Sequence, residues 1–262
     1  MAKGLHNGTK QSTHTRADKK LGKVFVYLSG PKVVEPLGRK RYTLIVREDF
    51  SRCTWVYFMR HKSDTPELFE QFFADTRADG VPSKLVIVRS DGGGEFRGGN
   101  FGDLCRSRSI KQEFTTTDSP QFNGVAERAL DLIETATMAG RIQARKIVPG
   151  AQLPSTESWW AEASHWACDA FNRTATSAKP ANKSPCEMWF GKPPPVVPLP
   201  FLKPGYFKVK RENKPQAKTK ECFSWDLHPV TPRLGASADQ TPYCAYHAAT
   251  RVARTTCTRP HA

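Results

Sequence analysis

The chain has 262 residues and carries 40 Lys and Arg against 25 Asp and Glu, a formal net charge of +15 at pH 7. An excess of that size favours a polyanionic partner held by charge neutralisation, with binding that weakens steeply as salt rises. No apolar run approaches the roughly 18 residues of a membrane span, and no apolar signal-peptide core is present, so neither insertion nor secretion is expected and an intracellular protein is. The seven cysteines (Cys53, Cys105, Cys168, Cys186, Cys222, Cys244 and Cys257) are scattered, odd in number and never in a CxxC pair, which argues against both a disulfide framework and a structural zinc site.

In chain order, residues 1–21 are polar and basic without periodicity and predict a flexible arm, whose Lys3, Lys10, Arg16, Lys19 and Lys20 either touch a nucleic-acid backbone or are simply solvated. Strands are predicted at 23–28, 42–47 and 54–60, an antiparallel meander turning at Gly30-Pro31 and near Gly38. Residues 65–79 place Leu68, Phe69, Phe72 and Phe73 at helical spacing, a core-facing pattern. A short aliphatic run at 85–88 reads as a buried strand that ends at Asp91, directly before Gly92, Gly93 and Gly94. A helix at 100–107 and a strand at 110–114 lead into a loop, 115–124, that precedes an amphipathic helix marked by Val125, Ala129, Leu132, Ile133 and Ala136. The stretch 157–172 repeats the helical pattern with Trp159, Trp160, Ala163, Trp166 and Phe171, better explained by packing than by base stacking. Pro193, Pro194 and Pro195 mark a domain edge. Residues 196–223 are basic with interleaved aromatics, and 224–262 combine turn formers with no periodic apolar face, which predicts a disordered tail.

Two carboxylates stand out. Asp91 sits at a strand end and Glu127 in the first turns of a helix, a pairing that suits a hard cation such as Mg²⁺, which takes one or two carboxylates plus water and phosphate oxygens. The alternative stays open on spacing alone: Asp91 as the start of a glycine turn, Glu127 as a helix-dipole partner. Gln121 and Asn123 in the preceding loop are donors either to phosphate oxygens or to a helix cap. Lys208, Lys210 and Arg211 are the candidate nucleic-acid contacts of the basic segment.

Four blocks then carry a resemblance: GPKVVEPLGRKRYTLIVREDFSRCTWVYFMRHKSD, VRSDGGGEF, SPQFNGVAERA and SWWAEASHWACDAFNRTATSAKPANKSPCEMWFGKPP. In that order they resemble the integrase region of copia-type LTR retrotransposon polyproteins, over most of residues 22–210. The resemblance implies an α/β, RNase H-like fold, with a mixed five-stranded sheet flanked by helices over residues 22–195. It further implies a triad of two aspartates and a glutamate, Mg²⁺ (or Mn²⁺) as cofactor, DNA as partner, homo-oligomers, a nuclear location and DNA integration by strand transfer. Asp91 matches the second aspartate and Glu127 the glutamate. The family's N-terminal zinc module of His and Cys pairs has no match, since only His6 and His14 precede Cys53. Residues 196–223 then read as a linker or as the start of a DNA-binding C-terminal segment. The tail after Phe223 is unlike the family and is compatible with a frameshift.

At the position of the first aspartate this chain has Tyr27, a phenol that is neutral at pH 7 and offers no carboxylate. No acidic residue lies between Asp18 and Glu35, so shifting the alignment recovers none. Catalysis is therefore expected to be impaired, with a non-catalytic nucleic-acid-binding remnant or a metal-dependent nuclease as alternatives. If the first two strands turn near Gly38, residue 27 lies across from about residue 49, which makes Glu48 and Asp49 possible substitute ligands.

Overall fold

The strand Lys23–Ser29 (β1) sends Val24 and Val26 to one side of a sheet and Phe25 and Tyr27 to the other, and this alternation sorts the layers. The computed structural model describes residues 16–32, 40–81, 84–115, 124–147, 159–175, 182–194, 199–208 and 219–224. Strands Tyr42–Glu48 (β2), Thr54–Met59 (β3), Ile87–Ser90 (β4) and Lys111–Phe114 (β5) join β1 in one five-stranded sheet of order β3-β2-β1-β4-β5. The β1–β2 and β2–β3 pairs are antiparallel, whereas β4 runs parallel to both β1 and β5. Pairing between β1 and β4 covers Lys23 to Phe25 only, so the second half of β1 has no ladder partner on that side.

One face of the sheet is covered by Thr65–Ala78 (α1), Gly94–Arg97 (α2) and Gly99–Ser107 (α3). Phe69, Phe72, Phe73, Phe96, Phe101 and Cys105 pack there on Val24, Val26, Leu44, Val46, Met59 and Val88, all at most 2% exposed. Burying each such side chain is worth about 1.5–3 kcal/mol, so this aromatic layer anchors the fold. The other face carries Gly124–Ile147 (α4) and Trp160–Arg173 (α5), whose Ala129, Leu130, Ile133, Ala167 and Cys168 meet Ile45 and Val56, with Tyr27 and Phe58 packed alongside. The close approach of these two helices depends on Gly140, where an added Cβ would lie 2.8 Å from the Trp166 ring.

The five strands and the helices α1, α3 and α5 lie within a few residues of their predicted bounds, and α4 starts where expected and runs on to Ile147, well past the marked Ala136. Two helices were not anticipated: α2, inside the glycine loop, and Pro185–Phe190 (α6). The second carries its own signals, since Ser184 Oγ accepts from Glu187 N at 3.1 Å, Pro185 opens the helix and Gly191 closes it in the left-handed region at φ 74°. A flexible arm through residue 21 is corrected for its last part: Arg16 Nε donates to Asp49 O at 3.1 Å, Ala17 N to Asp49 Oδ2 at 2.8 Å, and Leu21 is 1% exposed. An apolar side chain at the head of β1 and donors facing the β2–β3 turn hold that stretch down. Within the basic segment, Lys203–Lys208 (β6) pairs antiparallel with Thr219–Ser224 (β7). The expected tail, from residue 225 on, lies outside the described residues.

Candidate acidic site at the ends of β1 and β4

Asp91 follows the last residue of β4, and Gly92 turns the chain there at φ 74°, a conformation that favours glycine. Asp91 Oδ1 accepts from Gly93 N at 3.1 Å, so the carboxylate does start the glycine turn, while its residue stays exposed. The turn is closed from the other side by Arg97 Nε, which donates to Gly92 O at 2.6 Å. Glu127 lies in the first turn of α4, between the buried Ala126 and Ala129 that seat the helix on the sheet.

Tyr27 stands between these two elements. Burial raises its phenol above the ordinary value near 10, and the charges of Asp91, Glu127, Glu134 and Asp131 push in the same direction. Glu127 is likewise raised, first by burial and then by Asp131 and Asp91. Those mutual effects put Tyr27, Asp91 and Glu127 in one electrostatic neighbourhood. Asp131 and Glu134 belong to the same neighbourhood, and sequence reading missed them. The signal was present: Glu127, Asp131 and Glu134 are spaced i, i+4, i+7 on α4 and fall on one face. Lys32 ion-pairs with Glu134 and lies 3.4 Å from Ser29 Oγ, tying the end of β1 to the helix.

Among the described residues no three or more His, Cys, Asp or Glu side chains are placed to hold a metal ion. Tyr27, Asp91 and Glu127 together offer two carboxylates and a neutral phenol, one carboxylate fewer than the triad the resemblance implies, so the donors present do not fit a two-ion centre.

Glu48 and Asp49 do not reach this site. Tyr27 pairs with Ile45, and Glu48 pairs with Val24, three residues back along β1, or about 10 Å away at the usual strand rise. The pairing is centred two residues before Gly38, which shifts the register from the expected one. Both carboxylates are also fully buried and engaged elsewhere. Glu48 accepts from Leu21 N at 3.2 Å, Phe50 N at 3.0 Å and Ser51 N and Oγ at 2.5 Å each, while Asp49 takes Ala17 N and pairs with Arg52 at 2.9 Å. Gln121, Asn123, Lys210 and Arg211 lie outside the described residues. Lys208 is the last residue of β6.

Beside the acidic site the sheet carries an array of opposite sign. Arg89 donates through Nε and Nη2 to Glu113 Oε2 at 3.0 and 2.6 Å, and Lys23 and Lys111 lie 3.4 and 3.6 Å from the same carboxylate. Burial works against the charge of Glu113, but the hydrogen bond and charge of Arg89, with Lys23 behind them, hold it below the ordinary carboxylate value.

No protein-family model matches the chain. It is 32% identical over 187 residues, 71% of its length, to the retrovirus-related Pol polyprotein from transposon TNT 1-94 of Nicotiana tabacum, and spans 13% of that protein. Among solved structures it resembles a chain of the simian T-cell lymphotropic virus intasome in complex with a PP2A regulatory subunit, with TM-score 0.51, 14% identity, 78% of this chain and 68% of that one covered. It also resembles the HTLV-2 integrase catalytic core domain in complex with magnesium, with TM-score 0.47, 16% identity, 66% of this chain and 99% of that one covered. The chain belongs to the retrovirus-related Pol polyproteins of copia-type transposons, as a segment with the RNase H-like fold of the integrase catalytic core.

Proposed function

We propose that this segment is a DNA-binding integrase core whose strand-transfer chemistry is impaired at Tyr27. One observation carries the reading: the phenol of Tyr27 lies among Asp91, Glu127, Asp131 and Glu134, and its pKa is raised, so it is uncharged at neutral pH. Strand transfer makes a new phosphodiester from a 3′-hydroxyl and breaks the target's P–O bond, and in the family two aspartates and a glutamate hold the Mg²⁺ or Mn²⁺ this requires. Asp91 and Glu127 keep two of those three places. At an effective dielectric near 20, a unit charge pair at 4 Å is worth about 4 kcal/mol, so the missing carboxylate is a large loss. The net charge of +15 supports DNA as the partner. On this reading the protein acts in the nucleus and as a homo-oligomer. Sedimentation with and without duplex is expected to show more than one copy per DNA.

The test is strand transfer on a labelled duplex with Mg²⁺ or Mn²⁺. It compares the unaltered chain, Tyr27→Asp, and Tyr27→Asp combined with Asp91→Asn. Product is expected from Tyr27→Asp alone. Product from the unaltered chain that disappears in Asp91→Asn overturns the impairment. Cleavage without joining moves the assignment to a nuclease, and silence in all three folded proteins leaves a DNA-binding remnant.

A further inference from the structure

The ion pairs of the described residues fall into two kinds. Lys32–Glu134, Arg52–Asp49, Lys62–Glu95, Arg106–Asp103, Arg108–Glu70, Arg173–Asp169 and Lys183–Glu187 each pair one cation with one carboxylate. Glu113 instead gathers three cations, Lys23, Arg89 and Lys111, and so leaves a surplus of two positive charges on one stretch of sheet. These residues come from the three adjacent strands β1, β4 and β5. The array is accessible: the side chains of Lys23, Arg89 and Glu113 are 14%, 18% and 22% exposed, and that of Lys111 is 70% exposed.

Register sets a further cation across the sheet. Phe25 is paired with Arg89 on one side and with Arg47 on the other, so the two guanidinium side chains flank the ring on the α4 face. Arg89 lies over that ring at 5.9 Å. Arg47 is turned inward: its Nε is buried without a hydrogen-bond partner, and no carboxylate among the described residues forms an ion pair with it. Burial, with the charge of Arg52 next, pushes it down to about 10, the behaviour of a cation lacking an anion.

We propose that Lys23, Arg89 and Lys111 form a track for the phosphate backbone of duplex DNA leading to the acidic site. The inference rests on the DNA-binding reading above and adds to it where the backbone lies. Arg89 precedes Asp91 by two residues, about 7 Å along a strand, so a backbone seated on the track arrives at the acidic end. The four carboxylates there repel phosphate, which leaves the track as the attractive approach. Glu113 fixes the spacing of the cations by holding all three, and its single charge does not cancel them.

The experiment titrates the full chain against a fluorescent 30-base-pair duplex, without divalent metal, at KCl from about 50 to 300 mM. The variants are Lys23→Gln with Lys111→Gln, Arg89→Gln alone, and a control on the other side of the sheet, Arg106→Gln with Arg108→Gln. Losing two phosphate contacts is expected to lower the slope of log affinity against log salt by about 1.8 and to weaken binding at 100 mM salt at least about tenfold. Arg89→Gln is expected to lower the slope by about 0.9, and the control to leave it unchanged. Tight binding by the unaltered chain with the same slope in the double variant overturns the track but not the DNA-binding reading. No binding by the unaltered chain overturns both. Because Lys111 is so exposed, Lys111→Glu serves as a second variant whose folding is not at risk, and an unchanged slope in that protein also rejects the track.

Discussion

The two ends of β1 both gather carboxylates and treat them in opposite ways. At the start of the strand, Glu48 and Asp49 are fully buried and supplied with donors from Ala17, Leu21, Phe50, Ser51 and Arg52. Toward its end, Asp91, Glu127, Asp131 and Glu134 stand partly or wholly in solvent, and among the described residues Gly93 N bonds Asp91 and Lys32 pairs with Glu134. Spare acceptor capacity therefore separates a carboxylate that holds the fold from one available to a ligand. Residue type does not separate them, since all six are ordinary acidic letters.

The sharpest way to break this contrast is to delete one member at each end. Glu48→Ala strips the acceptor from three backbone N–H groups and one hydroxyl, and is expected to cost about 3 kcal/mol or more, read by denaturant unfolding. Asp91→Asn and Glu127→Gln are expected to shift stability by no more than about 0.5 kcal/mol, as exposed changes that also relieve repulsion. A comparable loss at both ends would erase the distinction.

Next in size is Tyr27→Asp measured without metal. It removes an aromatic packed against the α4–α5 layer and adds a fifth negative charge, so a loss of about 2 kcal/mol is expected. Mg²⁺ at millimolar concentration is expected to return much of it by binding the folded form, while moving the melting point of the unaltered chain little. Equal Mg²⁺ shifts in both proteins would refute that. Gly140→Val, which presses into Trp166, is expected to cost about 1–3 kcal/mol with DNA affinity intact once folded.

A separate effect lies in pH. Asp79 is raised from 3.8 to about 6 by burial, which outweighs the 2.8 Å hydrogen bond it accepts from Trp189 Nε1, and its Oδ1 has no partner. The folded chain keeps this proton to higher pH than the unfolded chain, so stability falls as pH rises from about 3.8 to about 6. Asp79→Asn is expected to raise the melting point at pH 7.5 and to flatten this slope. Glu113 works in the reverse sense: held below its ordinary value, its contribution is present above 4.5 and lost as pH falls through the folded value.

Much of the fold was legible because period-2 and period-3.6 patterns leave direct traces, as in Phe69, Phe72 and Phe73 or the run before Asp91. The meeting of Asp91 and Glu127 was legible through the resemblance and through their places at element ends. Register was not, because the β1–β2 connection carries several turn formers and one candidate glycine placed its centre two residues late. That error alone generated Glu48 and Asp49 as substitutes. Asp131 and Glu134 went unnoticed because charges on a solvated helix face look alike until a tyrosine is found beside them. The gathering of Lys23, Arg89 and Lys111 on Glu113 depends on pairing among three strands distant in sequence, which no local pattern encodes.

β1 and β4 share three rungs, from Lys23 to Phe25. Because ladder pairing between them stops at Phe25, the side of residue 27 toward β4 is not stitched into the sheet. A side chain of different length there can widen or narrow the gap without costing an interstrand bond. Main-chain pairing on that side is thus indifferent to the identity of residue 27, and the cost of replacing Tyr27 falls on its packing against α4 and α5 instead.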